Sequence, residues 1–248
     1  MARLFVSDLH LDAVAPQAIE QFLWFLEAHA AHAEALYVLG DLFEAWIGDD
    51  DPDAAKERVC AGLRALTRRG IPCFVLHGNR DFLLGAGFCA RTGSVLLPDP
   101  VVVELDGERV LLTHGDALCT DDHAYQELRS AARDRVWQER FLSLPLAVRE
   151  RLADRARTGS RAHIARVVPY VMDVNSAAVA AAHRATAARR IVHGHTHRPG
   201  VHEMLLEGRP AYRIVLGAWY EQGSYLYCDA GRYELRELPR AGKPSAGA

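Results

Sequence analysis

Short apolar runs alternate with longer stretches of helical period along the chain, the pattern of a layered α/β or α+β domain. Residues 4–6, 35–39, 73–76, 110–112 and 191–192 are apolar runs without the alternation of a half-exposed strand, and they read as buried strands. Between the first two, residues 16–26 carry Pro in the first turn and apolar side chains at 19, 22, 23 and 26, which predicts a helix. A second helix is expected to open at Asp51-Pro52, with Asp51 as its N-cap and Pro52 at its first position. Asp106-Gly107 lies between two apolar runs and signals a hairpin. Residues 201–206, 212–216, 225–227 and 233–235 read as short strands joined by Gly-containing turns, and residues 240–248 as a disordered tail.

One stretch breaks this rhythm. Residues 121–168 give no strand signal, only helix-like sequence interrupted at Pro145 and Gly159. Within it, residues 129–166 hold ten arginines against four acids, so this part carries +6 while the rest of the chain carries −9, for a net −3. It reads as a helical cap inserted in a single domain spanning residues 1–248. An Ala-rich helix is expected over residues 177–188. The mildly acidic balance argues against general nucleic-acid binding through excess basic charge. Five scattered cysteines, odd in number and without a C-x-x-C pair, suggest reduced thiols. No secretory signal is visible, and no apolar stretch reaches the roughly 18 residues needed to span a bilayer, so any membrane contact is expected to be peripheral.

Each of the five buried runs leads into residues that bind hard or borderline metals. The first leads to Asp8-Leu9-His10 and the second to Gly40-Asp41. The third leads to His77-Gly78-Asn79-Arg80-Asp81, the fourth to His114-Gly115-Asp116, and the fifth to His193-Gly194-His195-Thr196-His197. Ligand sites in open α/β sheets form where the carboxyl ends of strands meet, so five such ends are expected to converge on one crevice. In Asp8-x-His10 and His195-x-His197 an extended backbone would put both side chains on one side. The glycines at 40, 78, 115 and 194 allow tight turns and close approach. Carboxylate, amide and imidazole donors without thiolate suit Mn²⁺, Fe or Zn²⁺, and seven donors are enough for two ions sharing a carboxylate. Any one of these motifs alone is common in proteins without metal; the five together are not. His77 and His193 are expected to be structural, and Asp49-Asp50-Asp51 a loop and cap rather than a third metal site.

In this order the motifs Asp8-x-His10, Gly40-Asp41, Gly78-Asn79-x-Asp81, His114 and Gly194-His195-x-His197 resemble the calcineurin-like metallophosphoesterase superfamily, over nearly all of the chain outside the insertion. That resemblance implies a two-sheet αββα sandwich with a dinuclear site at the strand ends. Asp8, His10, Asp41 and His197 would hold one ion, and Asp41, Asn79, His114 and His195 the other, with Asp41 bridging. It also implies attack on phosphorus by a metal-activated hydroxide, and a catalytic set of Asp41, Asn79, Arg80, His114 and His195.

Longer runs are similar to the UDP-2,3-diacylglucosamine hydrolases of lipid A biosynthesis: residues 39–51, 77–85, 114–116 with 119–122, 172–175, 193–199 and 215–219. These enzymes split the pyrophosphate of UDP-2,3-diacylglucosamine into UMP and 2,3-diacylglucosamine 1-phosphate, usually with Mn²⁺, at the inner face of the bacterial inner membrane. The resemblance implies a lipid-nucleotide substrate held by Asn79, Arg80, Asp122, Tyr125, Arg157, Ser160 and His195, and peripheral contact with an anionic membrane surface. Neither a nucleic-acid partner nor an obligatory protein partner is indicated. The chain departs from the family where a polar Asn and a Lys are expected after Ser160: it has Ile164 and Val167, with Arg161 and Arg166 as alternative headgroup contacts.

Arg80 speaks independently of the resemblance. Many metallophosphoesterases place His after the motif Asn, where it can protonate an alkoxide leaving group. Arginine keeps its proton to above pH ~12 and cannot act as that acid, but it contacts phosphate oxygens bidentately. A phosphate leaving group needs no proton, so Arg80 fits a pyrophosphate better than an alkyl phosphoester. The alternatives are another hydrolase of the superfamily, such as a nuclease or dinucleoside polyphosphate hydrolase, and a non-catalytic scaffold of the same fold. In the cap, Val136, Trp137, Phe141, Leu142, Leu144, Leu146, Val148 and Leu152 either pack on the main domain or line an acyl pocket. On the second view Arg149, Arg151 and Arg155 face lipid headgroups.

Overall fold

A computed structural model describes residues 2–164, 173–220 and 223–238, with side chains described as far as Gly159 in the helix that ends the first segment. Arg3–Val6 (β1), Ala35–Leu39 (β2), Cys73–Leu76 (β3) and Val95–Leu96 (β4) run parallel, and Ser224–Asp229 (β10) and Arg232–Glu237 (β11) add antiparallel strands beside β1. This six-stranded sheet has the order β11-β10-β1-β2-β3-β4. The second sheet has five strands in the order β5-β6-β7-β9-β8. They are Val101–Leu105 (β5), Glu108–Leu112 (β6), Arg190–His193 (β7), Gly200–Leu206 (β8) and Arg209–Val215 (β9). The β5–β6 hairpin turns at Asp106-Gly107, both at positive φ (51° and 81°), as a tight two-residue turn requires.

The strands alternate in what they bury, and that alternation sets the layers. Phe5, Tyr37 and Phe74 are register partners on β1, β2 and β3, stacked at 4.8 and 4.9 Å. With Leu39 and Leu76 they face Val110, Leu112, Val192 and Ile214 of the second sheet. Leu4, Val6, Leu36, Val38 and Val75 point the other way, onto Pro16–Ala28 (α1), Ala54–Arg68 (α2) and Ala86–Thr92 (α3). Leu111 and Ile191 meet Val179 of Ser176–Thr186 (α7) on the outer face of the second sheet. The result is a helix–sheet–sheet–helix sandwich of the expected α/β class.

Three helices follow the second sheet's first hairpin: His123–Arg133 (α4), Arg135–Leu142 (α5) and Leu146–Ile164 (α6). Several local expectations are corrected. The N-cap of α2 is Asp53, whose carboxylate accepts from the N–H groups of Ala55 and Lys56 at 2.7 and 3.1 Å, while Asp51 pairs with Lys56 instead. Gly159 does not interrupt α6, since one exposed glycine costs a helix only about 1 kcal/mol. Neither β4 nor α3 was anticipated; β4 is only two residues long. Residues 165–168 of the expected cap, Arg166 and Val167 among them, and the tail at 240–248 lie outside the described residues. So do the side chains of Ser160, Arg161 and Ile164.

Arg149 overturns part of the lipid-facing expectation. It is 2% exposed, with Nη1 donating to the Ile47 carbonyl (2.6 Å) and Asp50 Oδ1 (2.8 Å) and Nη2 to Asp50 Oδ2. It anchors α6 to the β2–α2 loop, whereas Arg151 and Arg155 are exposed. Among the described residues no helix is long and apolar enough to cross a membrane.

Candidate metal centre

The expected donors do not sit in extended backbone; the chain turns sharply as it leaves each strand. Asp8, His10, Asp41, His195 and His197 all have φ between 50° and 68°, the left-handed region that costs a residue with a Cβ roughly 1–2 kcal/mol. The reading of Asp8-x-His10 and His195-x-His197 as extended pairs is therefore wrong, although both members of each pair still reach the same crevice. Backbone bonds fix these turns: Asp8 N–H donates to Gly40 O (3.1 Å), His10 N–H to Asp41 O (3.0 Å) and Gly194 N–H to His114 O (2.9 Å). Two glycines are required by close approach. A Cβ at Gly78 would collide with the Asp41 carboxylate, and one at Gly194 with Ser7 and Asp8.

Each of the two central carboxylates spends one oxygen on the scaffold and presents the other. Asp8 Oδ2 accepts from His195 N–H (2.8 Å), and Asp41 Oδ1 accepts from Arg80 N–H (2.8 Å). Asp8 Oδ1 lies 3.3 Å from His197 Nε2, buried and without a hydrogen bond among the described residues. Asp41 Oδ2 lies 3.8 Å from both His10 Nε2 and His114 Nε2. His10 Nε2 and His197 Nε2 face one another at 3.4 Å. On the other side, His114 Nε2 and His195 Nδ1 converge on Asn79 Oδ1 at 2.9 Å each. The seven donors thus form two groups with Asp41 equidistant between them. Asp8 also comes within 4.8 Å of both Asp41 and His114 donors, so it too lies between the groups.

These atoms fit divalent cations better than they fit each other. Ligands about 2.0–2.2 Å from one ion stand roughly 3–4 Å apart, the spacing found here. Asp8 Oδ1 is an orphaned buried acceptor, which in a native fold calls for a partner. Burial opposes ionisation of Asp41 and pushes its carboxyl up, whereas Asp8, despite its own burial, is held well below the usual carboxylate range by His197, His114 and His10. Burial also works against a charge on His114, but Asp41, Asp8, Asp116 and Asp99 outweigh it and raise the imidazole to about 9. His195, buried and beside His114, is lowered to about 3. Mutually frustrated buried charges of this kind mark functional sites.

Several supporting residues went unassigned in the sequence. Glu44 Oε2 accepts from His10 Nδ1 (3.0 Å), and Leu39 O from His114 Nδ1 (2.9 Å), so each ring turns Nε2 toward the donor group. Asp81, fully buried, accepts from the N–H groups of Gly78, Asp41, Leu42 and Phe43 and holds the Asp41 turn against the Asn79 loop. A carboxylate three residues past Gly78 was visible, but its four backbone donors come from a different strand end as well as its own. His77 and His193 stand outside the donor set. His77 Nε2 bonds Leu84 O, and His193 Nδ1 bonds Gly194 O, with burial lowering His193 to about 4. In the acidic run, Asp49 binds Trp46 and the Gly85 and Gly87 amides, Asp50 binds Arg149, and Asp51 binds Lys56.

The expected substrate contacts divide. Arg80 flanks Asn79, and its Nε is buried without a hydrogen bond among the described residues. Tyr125 leans over His195 (5.7 Å between rings) while its hydroxyl donates to Asp116 Oδ2 (2.9 Å). Asp122 caps α4 by accepting from Tyr125 N–H (3.0 Å). Arg157 reaches back to Asp12 (3.7 Å), near the first strand end, and also pairs with Asp154.

Two sheets with a mixed Asp/Asn/His crevice at their strand ends define a class, and the sequence model described as "Calcineurin-like phosphoesterase" matches residues 1–199. The chain belongs to that family. Over 239 residues, 96% of this chain and 100% of the relative, it is 46% identical to the UDP-2,3-diacylglucosamine hydrolase of Salmonella agona. It is 48% identical, at the same coverage, to the protein of that name from Escherichia coli strain UMN026, and kinship at this level places it in the narrower family those two represent. Among solved structures, an archaeal phosphodiesterase aligns with 96% of this chain and 99% of its own at 13% identity and a TM-score of 0.49.

Proposed function

We propose that the protein hydrolyses the pyrophosphate bond of UDP-2,3-diacylglucosamine, giving UMP and 2,3-diacylglucosamine 1-phosphate, as its relatives' names suggest. The observation that carries this reading is Arg80: an unpaired guanidinium nitrogen beside Asn79, at the edge of a seven-donor crevice. Asp8, His10, Asp41 and His197 hold one divalent ion, and Asp41, Asn79, His114 and His195 the other. Such a pair, when bound, supplies an activated water and neutralises charge on phosphoryl oxygens. Arg80 orients the phosphate and takes up charge that develops on its oxygens, without delivering a proton. Glu44 and the Leu39 carbonyl keep His10 and His114 in the tautomer that offers Nε2.

The native ion in this reading is Mn²⁺, as the resemblance to the lipid A hydrolases implies; oxygen and imidazole donors without thiolate suit it as they suit Fe or Zn²⁺. Tyr125, Asp122 and Arg157 add substrate contacts from the cap. The protein works at the cytoplasmic face of an anionic inner membrane, held peripherally. Val136, Trp137, Leu142 and Leu152 of the cap are exposed apolar side chains beside exposed Arg140, Arg151 and Arg155, a surface suited to reversible, salt-sensitive lipid contact. Sedimentation with anionic vesicles tests this: binding should fall at high salt and with Arg151 and Arg155 both changed to Glu, and equal binding by both proteins contradicts it. For the chemistry, Arg80→Ala should cut turnover on the pyrophosphate by at least about a hundredfold while two ions stay bound. Wild-type kcat/KM in that variant would overturn the reading.

A further inference from the structure

Tyr220 touches the donor set, yet neither the metal ligands nor Arg80 accounts for it. Its ring lies nearly parallel to that of His10, with centroids 5.0 Å apart at 14°, and it meets His197 edge-on at 5.2 Å. One ring face is therefore covered by a donor imidazole, while 64% of the residue is exposed. The backbone leading to it is fixed: Trp219 N–H donates to Asp8 O (3.0 Å) and the Trp219 indole to Ser224 O (2.9 Å). The rest of the ring stands open to solvent beside the donor set, where a substrate group can reach it.

The surroundings say which part of a substrate suits it. The charged groups acting on its hydroxyl are Glu44, Arg80, Asp41 and Asp8. An aromatic, apolar wall lies elsewhere, where Phe82 of the main domain meets Trp137 of α5 at a tilt (6.1 Å between rings) and Trp137 stacks on Phe141 of the same cap helix (5.2 Å). With a pyrophosphate centred on the donors, a substrate's two ends leave the crevice in different directions. Acyl chains belong against the Phe82–Trp137–Phe141 wall. A planar, polar heterocycle belongs against an exposed ring ringed by charges, since every base has a π-face to stack. Resting on the pyrophosphate reading above, we infer that Tyr220 stacks on the nucleobase at the UMP end of the substrate and makes the site selective for one.

The test uses the metal-loaded full chain as wild type, Tyr220→Phe and Tyr220→Ala. It measures metal content, kcat, KM for UDP-2,3-diacylglucosamine, and inhibition by UMP and by glucosamine 1-phosphate. Tyr220→Ala should raise KM and the UMP inhibition constant on the order of tenfold. Metal content, kcat and inhibition by glucosamine 1-phosphate should stay as in wild type, and Tyr220→Phe should behave like wild type throughout. Unchanged UMP inhibition in the Ala variant overturns the inference, as does weakening confined to glucosamine 1-phosphate. If the Ala variant loses metal, the wild type decides: with diamagnetic Mg²⁺ bound, the uracil protons of UMP should shift upfield by ring current, and the absence of that shift overturns it. Failure of wild type to release UMP from the substrate would count against the pyrophosphate reading, a result distinct from UMP release with no base stacking.

Discussion

Asp41 is the residue on which the two donor groups depend together. Its Oδ2 stands 3.8 Å from a histidine of each group, and its Oδ1 is committed to Arg80 N–H. Asp41→Ala should therefore empty both sites, whereas His197→Ala or Asn79→Ala should weaken mainly its own. Metal analysis of the purified variants checks this, and two ions at full occupancy in Asp41→Ala would contradict the shared position. That these side chains would meet in one crevice was legible in the sequence because each follows an apolar run that reads as a buried strand. Their conformation was not. Positive φ at Asp8, His10, Asp41, His195 and His197 is imposed by backbone bonds between different strand ends, such as Asp8 N–H to Gly40 O, which no local pattern encodes. Glu44 was in view as well, but its partner His10 lies 34 positions away.

At the scale of elements, strands were read more securely than caps and loops. A run such as residues 35–39 is apolar at every position because both faces of β2 are covered, one by helices and one by the second sheet. The start of α2 was misplaced because Asp51 and Asp53 are both acceptable caps next to Pro52, and the choice falls to Lys56, which takes Asp51 as an ion-pair partner. Arg149 shows the same limit: in sequence it resembles its exposed neighbours, and only the acceptors on the β2–α2 loop make it an internal anchor. Arg149→Ala strands the Ile47 carbonyl without its donor, a loss of about 1–3 kcal/mol for a buried acceptor. Amide exchange in α5 and α6 should accelerate while metal content is unchanged. Unaltered protection in α6 would show that the cap is held by other contacts.

For the whole molecule, the crevice gathers frustrated charge at the junction of both sheets, so cation binding and fold stability are linked. At free metal a hundred times the dissociation constant, the linkage adds about 2.7 kcal/mol to the folded state for each ion bound. Chelator should lower the melting temperature of the wild type and leave that of Asp41→Ala unmoved; a wild type indifferent to chelator would contradict a coupled site. The layered α/β character was legible from unbroken apolar runs such as residues 110–112, and the αββα order was implied by the family resemblance. Which side each residue of β6 takes, Val110 and Leu112 to one and Leu111 to the other, is set by the layers packed on it. How far the cap leans over the crevice was not legible, because it rests on long-range pairs such as Arg157 with Asp12 and Arg133 with the Gly78 carbonyl. Product analysis after incubating the metal-loaded protein with UDP-2,3-diacylglucosamine tests the pyrophosphate cleavage itself. UMP and 2,3-diacylglucosamine 1-phosphate should appear in equal amounts, and both should vanish with chelator and in Asp41→Ala. Release of UDP with the unphosphorylated sugar, or no cleavage while two ions are bound, would contradict it.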